Sequence, residues 1–162
     1  EMFDLADPLE EARGKAPGGE LATVSLDTAL NRVGKGSVTI GELVEGKKGA
    51  YLDFWASWCG PCIRAMPELK VRASRYEPQG LSVVGVNTDT DDPEKKSAAM
   101  AERFSMTMPW LVDPSDEPLS GPLSVTSIPR VVLIHPSGKV LFNGHPEDVE
   151  LKVALLDLGI VP

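Results

Sequence analysis

Cysteine is nearly absent from this sequence: Cys59 and Cys62 are the only two in 162 residues. Two cysteines are too few to staple a small secreted scaffold. Histidine is equally scarce, with only His135 and His145. Zinc usually takes four ligands, and these two histidines lie farther apart than the zinc-finger H-x₃₋₅-H spacing. They read as surface residues at a strand end and a helix start. Positive charge is in deficit, with a formal net charge of −8 and a pI near 4.8. That balance argues against a nucleic-acid partner, because little here would neutralise phosphates. Long apolar runs are missing too; none approaches the roughly 18–20 residues that span a bilayer. The chain also starts at Glu1 with no initiating Met. That start sets the expectation of a processed chain, with a leader or membrane tether outside it.

What remains is ordinary for a soluble globular domain: 42% hydrophobic and 25% charged residues. Residues 1–20 are rich in Pro, Gly and charge and read as a flexible arm. Residues 21–162 read as one domain. Ala22–Leu26 alternates like a short strand, and Ser37–Ile40 is a second candidate, followed by a helical turn over Glu42–Val44. Ala50–Trp55 is a buried strand interrupted by Asp53, and it runs straight into the cysteine segment. A helix is expected from Cys59 to near Gly80, kinked at Pro67 because its ring blocks the bond back to Ile63. Leu81–Val86 is a second buried, β-branched strand.

Asp92-Pro93-Glu94 signals a helix start with Asp92 as the cap. That helix carries Ala98, Ala99, Met100 and Phe104. Asp89, Asp91 and Asp92 lack the glycine and bidentate glutamate of a calcium loop, so they read as a solvated loop plus cap. Arg130–Ile134 and Lys139–Phe142 form a hairpin about Pro136–Gly138. Pro146–Leu158 reads as a last helix stopped by Gly159, although its apolar residues also fit a period of two. The β-α-β-α alternation in the middle, with a terminal hairpin, makes an α/β sandwich with a mixed central sheet.

Cys59 follows a buried strand and opens a helix. Unpaired N–H groups at a helix start stabilise a thiolate, and thiolate is the form that attacks a disulfide. Cys59 is therefore the candidate nucleophile. Cys62 lies one turn on, on the same face, where it can attack a mixed disulfide. Gly60 and Pro61 let the turn close, and Pro61 lacks an N–H that would be orphaned there. A purely structural disulfide over so short a loop would stabilise little.

The segment Leu52-Asp-Phe-Trp-Ala-Ser-Trp-Cys-Gly-Pro-Cys62, in its strand–CxxC–helix context, resembles the active-site segment of the thioredoxin superfamily. Ala65-Met-Pro-Glu-Leu69, Gly85-Val-Asn-Thr-Asp89 and Ile134-His-Pro-Ser-Gly138 resemble its TlpA/ResA-type branch. The resemblance covers about residues 22–158. It implies a thioredoxin-like three-layer sandwich with extra N-terminal strands. It also implies a cis Ile128–Pro129 bond facing the cysteines, with the Ile128 backbone offered to a substrate peptide.

By the same resemblance Asp53 handles protons for Cys62, and its burial should raise its pKa. The companion Lys of thioredoxin is replaced by Gly85, and the Glu that often follows CxxC in the branch by Ala65. Asp53 then looks like the only proton carrier beneath the pair. Trp58 is expected to shield the disulfide and line the contact surface. Trp55 and Trp110 read as core.

Gly60 and Pro61 carry no charge to over-stabilise the thiolate, so the expected direction is reduction. The expected potential is nearer thioredoxin, at about −270 mV, than the strong oxidant DsbA, at about −120 mV. The resemblance implies an extracytoplasmic, for instance periplasmic, protein that reduces substrates such as apocytochromes awaiting haem. Its partners would be a disulfide-bearing protein and an upstream thiol reductant. The only cofactor expected is the Cys59–Cys62 disulfide itself, with no metal, and the expected state is a monomer. Two other readings are a cytosolic thioredoxin-like reductase and a thioredoxin-fold adaptor that never cycles its thiols. A peroxide-reducing role lacks a separate peroxidatic cysteine.

Overall fold

The computed structural model describes residues 22–34, 36–113, 123 and 125–162. The arm expected over 1–20 lies outside them. The strands are β1 (Ala29–Arg32), β2 (Ser37–Thr39), β3 (Gly49–Trp55), β4 (Leu81–Asn87), β5 (Trp110–Val112), β6 (Arg130–Ile134) and β7 (Val140–Gly144). The helices are α1 (Ile40–Val44), α2 (Gly60–Arg64), α3 (Met66–Tyr76), α4 (Pro93–Arg103) and α5 (Val149–Asp157). The strands form one mixed sheet in the order β2-β1-β5-β4-β3-β6-β7. β3, β4 and β5 are parallel, and the other pairings are antiparallel. Right-handed crossovers through α3 and α4 put both helices on one face. This is the thioredoxin-like sandwich with β1 and β2 as its extra N-terminal strands.

Every residue of β3 is buried, so its two faces feed two cores. Tyr51 and Trp55 pack with Met66, Leu69, Tyr76, Leu151 and Leu155. Leu52 and Phe54 pack with Leu30, Ile40 and Val44 on the other side. The expected kink is present, at Ala65, which keeps a right-handed helical conformation, φ −85° and ψ −8°. α2 ends at Ala65 and α3 restarts at Met66, with Pro67 in its first turn, where a missing N–H is tolerated. α5 buries Leu151, Ala154 and Leu155, which settles its period as helical. Gly159 at φ +79° stops it, and the Ile160 N–H closes back on the Leu155 carbonyl at 2.9 Å.

Several expectations need correction. Ala22–Leu26 is not a strand; it contributes a single bridge, Thr23 to Lys139. The strand next to β2 is β1, which hides from periodicity because only Leu30 of its four residues is buried. β5 was unexpected and is too short, at three residues, to show a period. Asp92 does not cap α4 with its side chain. It sits at φ +44°, and only its carbonyl joins the helix, accepting from Lys96 N at 3.1 Å. Ala98 and Ala99 are exposed, and Ser97 and Met100 are the buried residues of that helix. Among the described residues no helix is long and apolar enough to cross a membrane.

Candidate active site

β3 delivers the chain from the sheet centre into the turn before α2. Cys59 caps α2 in an extended conformation, φ −89° and ψ 97°. It is disulfide-bonded to Cys62, with Cα atoms 5.2 Å apart. The Cys62 backbone N–H donates to Cys59 Sγ at 3.2 Å. That donor stands ready to stabilise a thiolate on Cys59, because a sulfur anion accepts such a bond more strongly than a thiol. Both cysteines are buried, whereas Trp58 is 72% exposed and projects beside them. Gly60 is half-buried and Pro61 exposed at the tip of the turn.

The Ile128–Pro129 bond is cis, as the resemblance implied. The sheet register places it near the cysteines. Phe54 pairs with Arg130, so Pro129 falls at the end of β3 that leads into the CxxC turn. Ile128 and Pro129 are half-buried. Arg130 anchors this corner by donating from Nε to Asn143 Oδ1 at 2.6 Å, while Asn143 Nδ2 donates to the Leu123 carbonyl.

Asp53 is buried, between Gly85 of β4 and Val131 of β6. Burial disfavours its charged form and pushes its pKa up to about 7, with the charge of Arg72 pulling the other way. Asp53 is therefore not alone. Arg72 donates from Nη1 to Tyr51 Oη at 2.8 Å, and Tyr51 shares the Asp53 face of β3. Sequence reasoning missed this pair because it joins α3 to β3 across 21 residues of chain. Gly85 pairs with Asp53 across the sheet, and its missing side chain is explained by Trp110. A Cβ on Gly85 would lie 3.0 Å from Trp110 Cε3. Trp110 in turn stacks edge-on with Trp55 at 5.4 Å, so both indoles are core as expected.

Asp89 was read as part of a solvated loop and is instead buried. It accepts from Ser57 N, Ser57 Oγ and Asn87 Nδ2, each at 2.9 Å. Thr88 adds its N–H to the Trp55 carbonyl at 2.9 Å. The end of β4 thus straps the turn that carries Trp58 and Cys59. A signal was present in the Asn87-Thr-Asp89 run after a buried strand, but its partner Ser57 is named only by the fold. His135 and His145 are exposed, as expected, and make local turn contacts. Among the described residues no three His, Cys, Asp or Glu side chains gather to hold a metal ion.

A mixed sheet of this order, with a strand–CxxC–helix junction and a cis-proline entering the neighbouring strand, defines a thioredoxin-like dithiol protein. The chain belongs to the Redoxin family, whose model matches residues 15–157, and within the thioredoxin superfamily to the TlpA/ResA type. It is 37% identical over 93 residues to the thiol-disulfide oxidoreductase ResA of Geobacillus thermodenitrificans, covering 57% of this chain and 52% of the relative. It is 26% identical over 125 residues to ResA of Halalkalibacterium halodurans, covering 71% of this chain and 69% of the relative. The matches to the Geobacillus relatives thus span about half of their length. Among solved structures, a putative thiol:disulfide interchange protein DsbE from Chlorobium tepidum superposes with a TM-score of 0.70 at 28% identity. That likeness covers 86% of this chain and 97% of that one.

Proposed function

We propose that this chain is a protein-disulfide reductase acting outside the cytoplasm, with residues 21–162 as its redox domain. The observation that carries the reading is the Cys59–Cys62 disulfide at a helix start, with the Cys62 N–H on Cys59 Sγ and the Asp53 carboxyl buried on the strand that leads into that turn. In the reduced protein, Cys59 thiolate attacks a substrate disulfide. One substrate sulfur leaves as a thiolate, and the other stays bound to Cys59. Cys62 gives its proton to the Asp53 carboxylate and attacks Cys59 Sγ. The second substrate sulfur leaves with the bonding electron pair, and the Cys59–Cys62 disulfide forms. An upstream thiol reductant restores the dithiol.

Trp58, Gly60 and Pro61 form one side of the substrate contact, and the Ile128 backbone and Pro129 the other. Pairing of a substrate strand with the Ile128 backbone would recognise shape rather than sequence. The ResA and DsbE relatives support an extracytoplasmic setting, and the TlpA/ResA type supports apocytochromes as a substrate class.

An insulin-disulfide reduction assay tests the reading. The wild-type chain should reduce insulin, Cys59→Ser should be inactive, and Cys62→Ser should accumulate a mixed disulfide with substrate. Wild-type inactivity equal to both variants would favour the non-cycling adaptor. A redox titration should fall closer to about −270 mV than to about −120 mV, and a value at the latter end would reverse the assigned direction.

A further inference from the structure

No cation stands opposite Asp53 on the strands beside it. Its partners are Gly85 on β4 and Val131 on β6. Gly85 is closed over by Trp110, so no long side chain could project there without displacing the indole. Arg130 opens β6 opposite Phe54 and is engaged by Asn143.

The other side differs. Tyr51 stands two residues from Asp53, so both side chains leave the same face of β3. Arg72 of α3 reaches that face, and its side chain is only 13% exposed. It donates to Tyr51 Oη at 2.8 Å and to the Pro146 carbonyl at 3.0 Å. Glu68 lies 3.4 Å from its Nε, and Glu147 3.6 Å from its Nη2. Tyr76 packs against Tyr51 with ring centroids 5.9 Å apart. Arg72 also lines a cleft of about 480 Å³ between α3 and α5, where Arg75, Lys152 and Asp148 complete the charged wall. A guanidinium is fixed here at the boundary between water and the interior that holds Asp53.

We propose that Arg72, held by Tyr51 at the wall of this cleft, is the positioning residue that sets how readily Asp53 takes up and releases the proton of the resolving step. This rests on the reading of Asp53 as the base for Cys62. In that step the Cys62 proton passes to the Asp53 carboxylate, the Cys62–Cys59 bond forms, and substrate thiolate leaves. The Asp53 proton then returns to water. A nearby fixed cation favours the carboxylate and so keeps Asp53 a competent base near neutral pH.

The test is a carbon-detected NMR titration of the Asp53 carboxyl in the oxidised full chain. Arg72→Gln should raise the Asp53 midpoint by about half to one pH unit, about three- to tenfold in proton affinity. Arg72→Lys should return most of that change. Tyr51→Phe keeps the ring and releases the guanidinium, and it should move the midpoint in the same direction. It also covers the case in which Arg72→Gln fails to fold. An Asp53 midpoint unmoved in a folded Arg72→Gln or Tyr51→Phe chain overturns the proposal. The pH profile of mixed-disulfide resolution in wild type and Asp53→Asn separates the two readings. A profile unchanged by Asp53→Asn removes Asp53 from the mechanism, and the proposal with it. An altered profile with an unmoved midpoint removes Arg72 alone.

Discussion

Replacing Asp53 with asparagine should change the shape of the stability–pH curve of the oxidised protein. Burial holds the folded-state pKa near 7, against a usual value of 3.8. The folded chain therefore binds a proton that the unfolded chain has lost, between about pH 4 and pH 7. By linkage, stability is fully present below the unfolded pKa and falls as pH rises through that window. The gap is about three pH units at about 1.4 kcal/mol each, so the loss is on the order of 4 kcal/mol by pH 8. Asp53→Asn removes this slope, because asparagine does not titrate. Urea unfolding at pH 5 and pH 8, with the disulfide intact, should show the variant gaining about 3 kcal/mol on wild type at the higher pH, because pH 5 already lies about one unit inside the window. The relative change between the two pH values is the test, since the amide's own contacts contribute equally at both. Parallel curves for the two proteins from pH 5 to pH 9 would refute the reasoning.

Asp89→Ala should cost about 2–4 kcal/mol in urea unfolding, because it removes three hydrogen bonds and leaves the buried Asn87 amide without that acceptor. It should also slow insulin reduction by loosening the Ser57–Cys59 turn; full stability would show that the strap is dispensable. Gly138→Ala should cost at least about 1 kcal/mol, since Gly138 sits at φ +92° and an added Cβ would overlap the Val24 carbonyl oxygen. An unchanged urea midpoint would contradict that.

Much of the site was legible because its chemistry is local. Cys59 and Cys62 are three apart, and a strand followed by Gly-Pro suffices to put them at a helix start. The buried strands β3, β4 and β6 announce themselves by β-branched and apolar runs. β1 and β5 do not, because one buries a single residue and the other is three residues long. The α4 start was legible from Pro93, yet Asp92 turns into the left-handed region and its side chain makes no capping hydrogen bond.

The redox pair, the turn that bears it, the alternating architecture and, through resemblance, the cis proline could all be read from local sequence. What surrounds the buried carboxyl of Asp53 follows from packing between distant segments. Arg72 meets Tyr51 only because α3 packs across β3, and Trp110 covers Gly85 only because β5 joins β4 in register. Asp89 reaches Ser57 because parallel β3 and β4 end side by side. A residue's type sets what it can do in water. Burial and the charge brought next to it set its proton affinity, and those depend on contacts between segments far apart in the chain.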